Sequence, residues 1–180
     1  ATLVVPVALV AQPRAAAPAR SAVDTTALAR LTFRSIGPAN MMGRSTDVEG
    51  VAGNANLVYV GTAAGGVWKT TNGGTTWAPL FDKQPTLSIG DLALEPGNPD
   101  VIYAGTGEAN VRNSVSFGRG MYKSTDGGRS WRFIGLGDTR HIARVMVNPA
   151  DTRTVYTCAV GHMAGPNAER GVFVSRDGGN

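Results

Sequence analysis

The chain is poor in the residues that carry much of redox and metal chemistry. It holds one cysteine in 180 residues, Cys158, set in an apolar run. A single cysteine excludes an internal disulfide and any Cys-x-x-Cys metal or redox motif. No base is marked beside it, so Cys158 is expected to be a buried, inert thiol. Charge is sparse as well, at 17% of residues, with 17 Lys and Arg against 13 Asp and Glu. No basic cluster is interleaved with aromatics, so nucleic acid is not an expected partner. The apolar run Ala1–Ala11 is too short to span a bilayer as a helix. Helix-like stretches are nearly lacking, with two weak ones near the start. The glycine run GTAAGG at 61–66 has neither a following helix nor a Lys-Ser/Thr pair, so it is not a phosphate loop.

What the chain has in quantity is glycine, 24 residues of it. Short β-rich runs punctuated by turn residues give an all-β expectation, and the length suffices for one good core. The run ATLVVPVALVA, followed by the Ala/Pro-rich Gln12–Arg20, reads as the apolar region and cleavage zone of an export signal without its basic leader. Residues 1–25 are taken as that remnant and a linker, 26–40 as a lead-in, and 41–180 as repeated structure. The export reading places the mature protein in the periplasm, the cell envelope or the medium.

The repeat organises the rest. Gly65–Trp77 (GGVWKTTNGGTTW) returns as Gly118–Trp131 (GRGMYKSTDGGRSW) and begins again as Arg170–Asn180 (RGVFVSRDGGN), at a period near fifty. Four strands are expected in the first copy: Ser45–Val51, Leu57–Thr62, Gly66–Thr70 and Thr76–Leu80. The second copy gives Ser88–Glu95, Val101–Thr106, Met121–Ser124 and Ser130–Ile134. The third gives Ile142–Val147, Thr154–Val160 and Gly171–Ser175. Four short strands per unit at this period predict blades of a β-propeller, antiparallel and four-stranded. Two complete blades and part of a third leave a ring open, so further blades of a longer chain are expected as partners.

Within each copy a tight Asn-Gly or Asp-Gly turn is expected between two strands: Asn72-Gly73, Asp126-Gly127 and Asp177-Gly178. The Asn or Asp side chain is expected to accept backbone N–H bonds of its own turn, and Gly74, Gly128 and Gly179 to take positive φ. Trp77 and Trp131 are read as apolar anchors packing blade on blade. Asn72 stands where the second copy has Asp126. An acceptor is needed there and a charge is not, which argues against calcium and against acid/base work.

Thr70-x-Asn72-x-Gly74-x-Thr76-Trp77, Ser124-x-Asp126-x-Gly128-x-Ser130-Trp131 and the shortened Ser175-x-Asp177-x-Gly179 resemble the Asp-box, or bacterial neuraminidase repeat. The resemblance covers about Gly43–Asn180. Families with this motif include sialidases, xyloglucan-active glycoside hydrolases, the sortilin luminal domain and a photosystem assembly factor. GTAAGGVWKTTNGG, YAGTGEAN and HIARVMVNP most resemble exported bacterial proteins of the sortilin-like or glycosyl-hydrolase-like kind. In the xyloglucan-active family a T-D-V-G-G-A-Y-R-like stretch carries a catalytic Asp. The matching stretch here is Thr62–Lys69, with Ala63 at the Asp position. Phe33–Pro38 is similar to the sialidase F/Y-R-I-P motif only with insertions.

Strand parity puts the boxes on one end of the blades with the turn PGNPD (96–100). The opposite end collects Thr62–Gly66, Phe81–Leu87, Gly107–Gly120, Gly137–His141 and Gly161–Arg170, and long polar loops on a rigid scaffold are where sites tend to sit. Glu108, Asn110, Arg112, His141 and His162 are the expected ligand-binding residues, with Arg119, Asp138, Arg140, Asn167 and Glu169 on the same end. Glu108 is also the catalytic candidate, with Arg112 as its partner or as a carboxylate clamp. His141 and His162 lie in successive blades and could approach each other, but no third ligand is placed, so neither metal nor cofactor is expected. The leading function is a binding module for a glycan or an extended peptide. The alternative is a glycoside hydrolase whose two carboxylates are completed outside this stretch.

Overall fold

The computed structural model describes residues 44–180. The expected export remnant (1–25) and lead-in (26–40) lie outside the described residues. Three antiparallel sheets follow one another along the chain. The first runs β1 (Ser45–Val51), β2 (Asn54–Thr62), β3 (Val67–Thr70) and β4 (Ala78–Pro79). The second runs β5 (Ile89–Glu95), β6 (Asn98–Thr106), β7 (Met121–Ser124) and β8 (Arg132–Gly135). The third holds β9 (Ile142–Val147), β10 (Val155–Ala159) and β11 (Gly171–Ser175). In each sheet the strands lie side by side in chain order. The first strands of the sheets are neighbours, β5 lying between β1 and β9. This up-and-down order with adjacent first strands is the layout of propeller blades.

The core lies between sheets, as period-2 alternation requires when both faces are covered. On β6, Ile102 and Ala104 point toward the first sheet and join Tyr59, Val67, Phe81, Ile89, Leu92 and Tyr122. The alternate residues Val101 and Tyr103 point toward the third sheet and join Ala93, Met121, Ile142, Val145 and Val155. The expected anchor Trp131 is half-buried against the first of these clusters and donates from Nε1 to the Leu80 carbonyl of the preceding sheet at 3.0 Å. Trp77, also half-buried, lies against its own loop at Gly74. Cys158 is a free thiol but only half-buried, because its side of β10 is turned away from the blade 2–blade 3 core.

Strand limits differ from the expected ones for local reasons. Residue Val51 pairs with Asn54 and Glu95 with Asn98, so Ala52-Gly53 and Pro96-Gly97 are two-residue turns. The second strands therefore begin three residues earlier than expected, at Asn54 and Asn98. The fourth strands are displaced and, in the first sheet, short. Backbone N–H groups of Thr76 and Ser130 are taken by Asn72 Oδ1 and Asp126 Oδ1, each at 2.9 Å, and are not free for a ladder.

The expected tight Asn-Gly or Asp-Gly turn is likewise a longer loop, organised by a hydroxyl. Thr70 Oγ1 accepts the N–H of Gly74 at 2.9 Å, and Ser124 Oγ that of Gly128 at 2.9 Å. Ser175 Oγ repeats this with Gly179 at 2.8 Å. Gly74, Gly128 and Gly179 have φ of 90°, 90° and 80°, where a Cβ is disfavoured.

Candidate functional site at the loop end

The hairpin loops lie at one end of the blades. The N–H of Gly127 donates to the carbonyl of Asp100 at the start of β6, and Gly73 and Gly178 do the same to Asn56 and Arg153. That end also carries the Pro96-Gly97 turn, as strand parity requires. The other end gathers the β6–β7, β8–β9 and β10–β11 connections.

These three connections border an open, shallow cleft of about 360 Å³, lined by Phe117, Gly118 and Arg119 from the first, Gly137, Asp138 and Arg140 from the second, and His162 and Glu169 from the third. His162 Nδ1 lies 3.6 Å from Glu169 Oε2. The Phe117 ring is 58% exposed, and the Arg140 guanidinium stacks over it at 5.2 Å. Among the described residues, Arg119, Asp138 and Arg140 take part in no ion pair.

Glu108 does not line this cleft. It is fully buried, and its carboxylate forms a two-pronged ion pair with Arg44, not with Arg112. The reason is the course of the chain. Its N–H donates to Ser88 Oγ at 3.0 Å and to the Ser116 carbonyl at 3.2 Å, which draws the side chain inward toward the start of the first blade. Its carbonyl faces His141 Nδ1 at 2.7 Å. Glu108 thus joins four segments and forms the floor under the loops. The Glu108 carboxylate holds the Arg44 guanidinium above its usual range. His141 is buried beside it. Burial pushes its imidazole below the usual histidine range, so it is a neutral strut near pH 7. Asn110 and Arg112 are exposed on the β6–β7 connection, and neither is among the cleft residues. His162 is the one of the five leading residues that lines the cleft.

Two features were missed by sequence reasoning. Arg44 carried no signal, because its partner is 64 residues away. Phe117 sat in a connection read for its polar residues, and an aromatic in a Ser/Gly-rich loop was the available clue. Among the described residues no group of three or more His, Cys, Asp or Glu is placed to hold a metal ion, and no helix is long and apolar enough to cross a membrane.

The fold has solved counterparts. The chain is similar to an ancestral GH74 enzyme, with 26% identity and a TM-score of 0.61 over 76% of this chain and 17% of that one. A GH74 enzyme from Niastella koreensis matches at 26% identity and a TM-score of 0.46 over 59% of this chain and 16% of that one. YCF48 from Cyanidioschyzon merolae matches at 16% identity and a TM-score of 0.50 over 79% of this chain and 39% of that one. The chain therefore spans about a sixth of the GH74 enzymes' length. No family model and no curated protein matches it. The three sheets are β-propeller blades.

Proposed function

We propose that this chain supplies blades of an exported Asp-box β-propeller that binds a glycan at its loop end, in the cleft bordered by Phe117, Arg119, Asp138, Arg140, His162 and Glu169. The single observation that carries the reading is the exposed Phe117 ring set among these polar side chains. An aromatic face suits the C–H face of a sugar, and convergent charged groups suit its hydroxyls. Further blades are the partners that would extend the ring on either side. An extended peptide, the sortilin-like occupant, is less well served by short loops of mixed charge than by a free strand edge.

A second reading, glycoside hydrolysis, is favoured by a separate observation: Asp138 and Glu169 border the same cleft, and the reaction needs two carboxylates. The likeness to a GH74 enzyme supports a glycoside-hydrolase-like propeller in general terms. Ala63, at the place where the resemblance puts a catalytic Asp, is 3% exposed and contributes no acid.

The test is a calorimetric and reducing-end screen of the full chain on plant and bacterial oligosaccharides. Binding that weakens tenfold or more in Phe117→Ala, with an unchanged melting temperature, is the expected result. Reducing-end release lost in Asp138→Asn or Glu169→Gln would favour the hydrolase. Binding indifferent to Phe117→Ala would remove the cleft as the site.

A further inference from the structure

Arg140 has a backbone that nothing in its side chain explains. Its φ of 50° and ψ of −43° lie in a region that residues with a Cβ rarely adopt. It is the centre of a γ-turn, closed by the His141 N–H donating to the Thr139 carbonyl. Neighbours from several elements hold the turn in place. The Gly118 N–H donates to the Arg140 carbonyl at 2.6 Å, and the Val160 N–H to the His141 carbonyl at 2.8 Å. Thr139 Oγ1 donates to the Leu136 carbonyl at 2.8 Å, and His141 Nδ1 is fixed on Glu108. The Arg140 carbonyl is pressed against Gly107, where a Cβ would sit 1.8 Å from it. All of this machinery fixes a main chain for which glycine is the unstrained residue.

The side chain itself does no internal work. It is exposed, it stacks on a ring that is itself exposed, and it is in no ion pair among the described residues. Asp138 and Glu169 border the same cleft. Asp138 is exposed and solvated, and Glu169 is turned to His162. Arg119 enters from the neighbouring connection. Strain held by the fold, with a long cation delivered to a cleft and left unpartnered, is the pattern of a residue kept for a ligand.

Resting on the glycan reading above, we infer that the cleft recognises a carboxylated sugar, a uronic acid unit. Arg140 takes the carboxylate, Arg119 assists, and Phe117 carries the ring's C–H face. The Arg140 guanidinium, 5.2 Å from the centre of the Phe117 ring, makes no side-chain hydrogen bond among the described residues, and a guanidinium's planar N–H edge matches a planar carboxylate in two parallel hydrogen bonds. The exposed carboxylate of Asp138 serves sugar hydroxyls.

The experiment compares an oligogalacturonate with the same oligomer after carboxyl reduction, by calorimetry on the full chain. The acidic oligomer is expected to bind at least tenfold more tightly, with the preference falling as salt rises. Arg140→Gln should abolish the preference, bringing the affinities for the two oligomers to within about twofold of each other. Arg140→Gly should also abolish it while raising the melting temperature, because the strain is relieved. A lower melting temperature in Arg140→Gly would make Arg140 structural and overturn the inference. Equal binding of the two oligomers would overturn it while leaving the glycan reading intact. Tighter binding of a sulfated oligosaccharide would overturn the carboxylate assignment. Binding of neither oligomer, with Phe117→Ala silent, would remove both readings.

Discussion

The hydroxyl partners of Asn72 and Asp126 show why an amide and a carboxylate serve the same position. In both loops Oδ1 accepts the backbone N–H four residues on, Thr76 or Ser130, and the hydroxyl of Thr70 or Ser124. Only the second atom differs. Asn72 Nδ2 donates to Thr76 Oγ1 at 2.9 Å, whereas Asp126 Oδ2 accepts from Ser130 Oγ at 2.6 Å. A hydroxyl turns either way, so it absorbs the exchange. Asp126→Asn is therefore expected to leave the melting temperature within a degree or two, and Asp126→Ala to cost about 1–2 kcal/mol in urea titration. The pair also separates in acid. The Ser130 hydroxyl and N–H hold the Asp126 carboxyl down at about 2. Its folded pKa lies below the unfolded value near 4, so its contribution is complete above pH 4 and is lost as pH falls from about 4 to 2. Asp126→Asn should remove that part of the acid sensitivity. A fall in stability at pH 7 in this variant would show that the charge itself matters.

At the scale of strands, the blades are joined by groups no sequence pattern announced. Asp47 Oδ2 on β1 accepts the Leu92 N–H of β5 at 2.9 Å, and Asp91 Oδ2 on β5 accepts the Val145 N–H of β9 at 2.7 Å. Lysines repeat the relation further out: Lys69 Nζ donates to the Gly127 carbonyl at 3.2 Å and Lys123 Nζ to that of Gly178 at 2.8 Å, each above a tyrosine of its own sheet. The acids along the first strands are crowded. Burial, and then nearby carboxylates, push Glu49 up to about 7; burial, against the Val145 hydrogen bond, pushes Asp91 up to about 6. Both folded values lie above the unfolded one near 4. The folded state binds these two protons more tightly, so their contribution to stability falls as pH rises from about 4 to 7, while buried His141, held below its usual range, contributes with the opposite sign. Glu49→Gln with Asp91→Asn should flatten the melting temperature across that window, since the amides keep an acceptor for Val145. A melting temperature in the double variant that changes between pH 4 and 7 by the same amount as in the wild type would contradict the assignment.

For the molecule as a whole, the critical residue is Phe81, in the link between the first two blades. It is fully buried and meets Tyr122 at 5.3 Å and Trp131 at 4.9 Å, edge to face in both cases. Phe81→Ala should cost about 3–5 kcal/mol in chemical denaturation, with early loss of tryptophan fluorescence from Trp131. A single unshifted transition would show that this interface does not hold the blades together. The architecture was legible because blades are local: alternation, turn residues and a fifty-residue period all lie within short windows. Trp131 was legible in the same windows as an inter-blade anchor, whereas the part of the Thr70, Ser124 and Ser175 hydroxyls in their turns, and the place of Trp77 on its own loop, were not. The site was legible only as an end of the molecule. Parity placed the right connections together, but it could not tell a loop's floor from its rim. Glu108 and Arg44 meet across 64 residues, and Arg140's importance lies in a dihedral angle that a sequence pattern does not display. Glu108 stood out as an acid beside glycine; that same glycine, Gly107, lets the chain turn it inward.

The acid and lysine bonds between sheets point the same way along the chain, from the side chain of one sheet to the backbone of the next. The third sheet breaks the series. Arg144 stands at the Asp47 and Asp91 position and turns back to Asp91 at 3.4 Å, while Val174 stands at the lysine position. The sheets are therefore not interchangeable parts. A second copy of the middle blade inserted after itself finds both a donor behind and an acceptor ahead. A second copy of the third blade meets only an arginine and a valine.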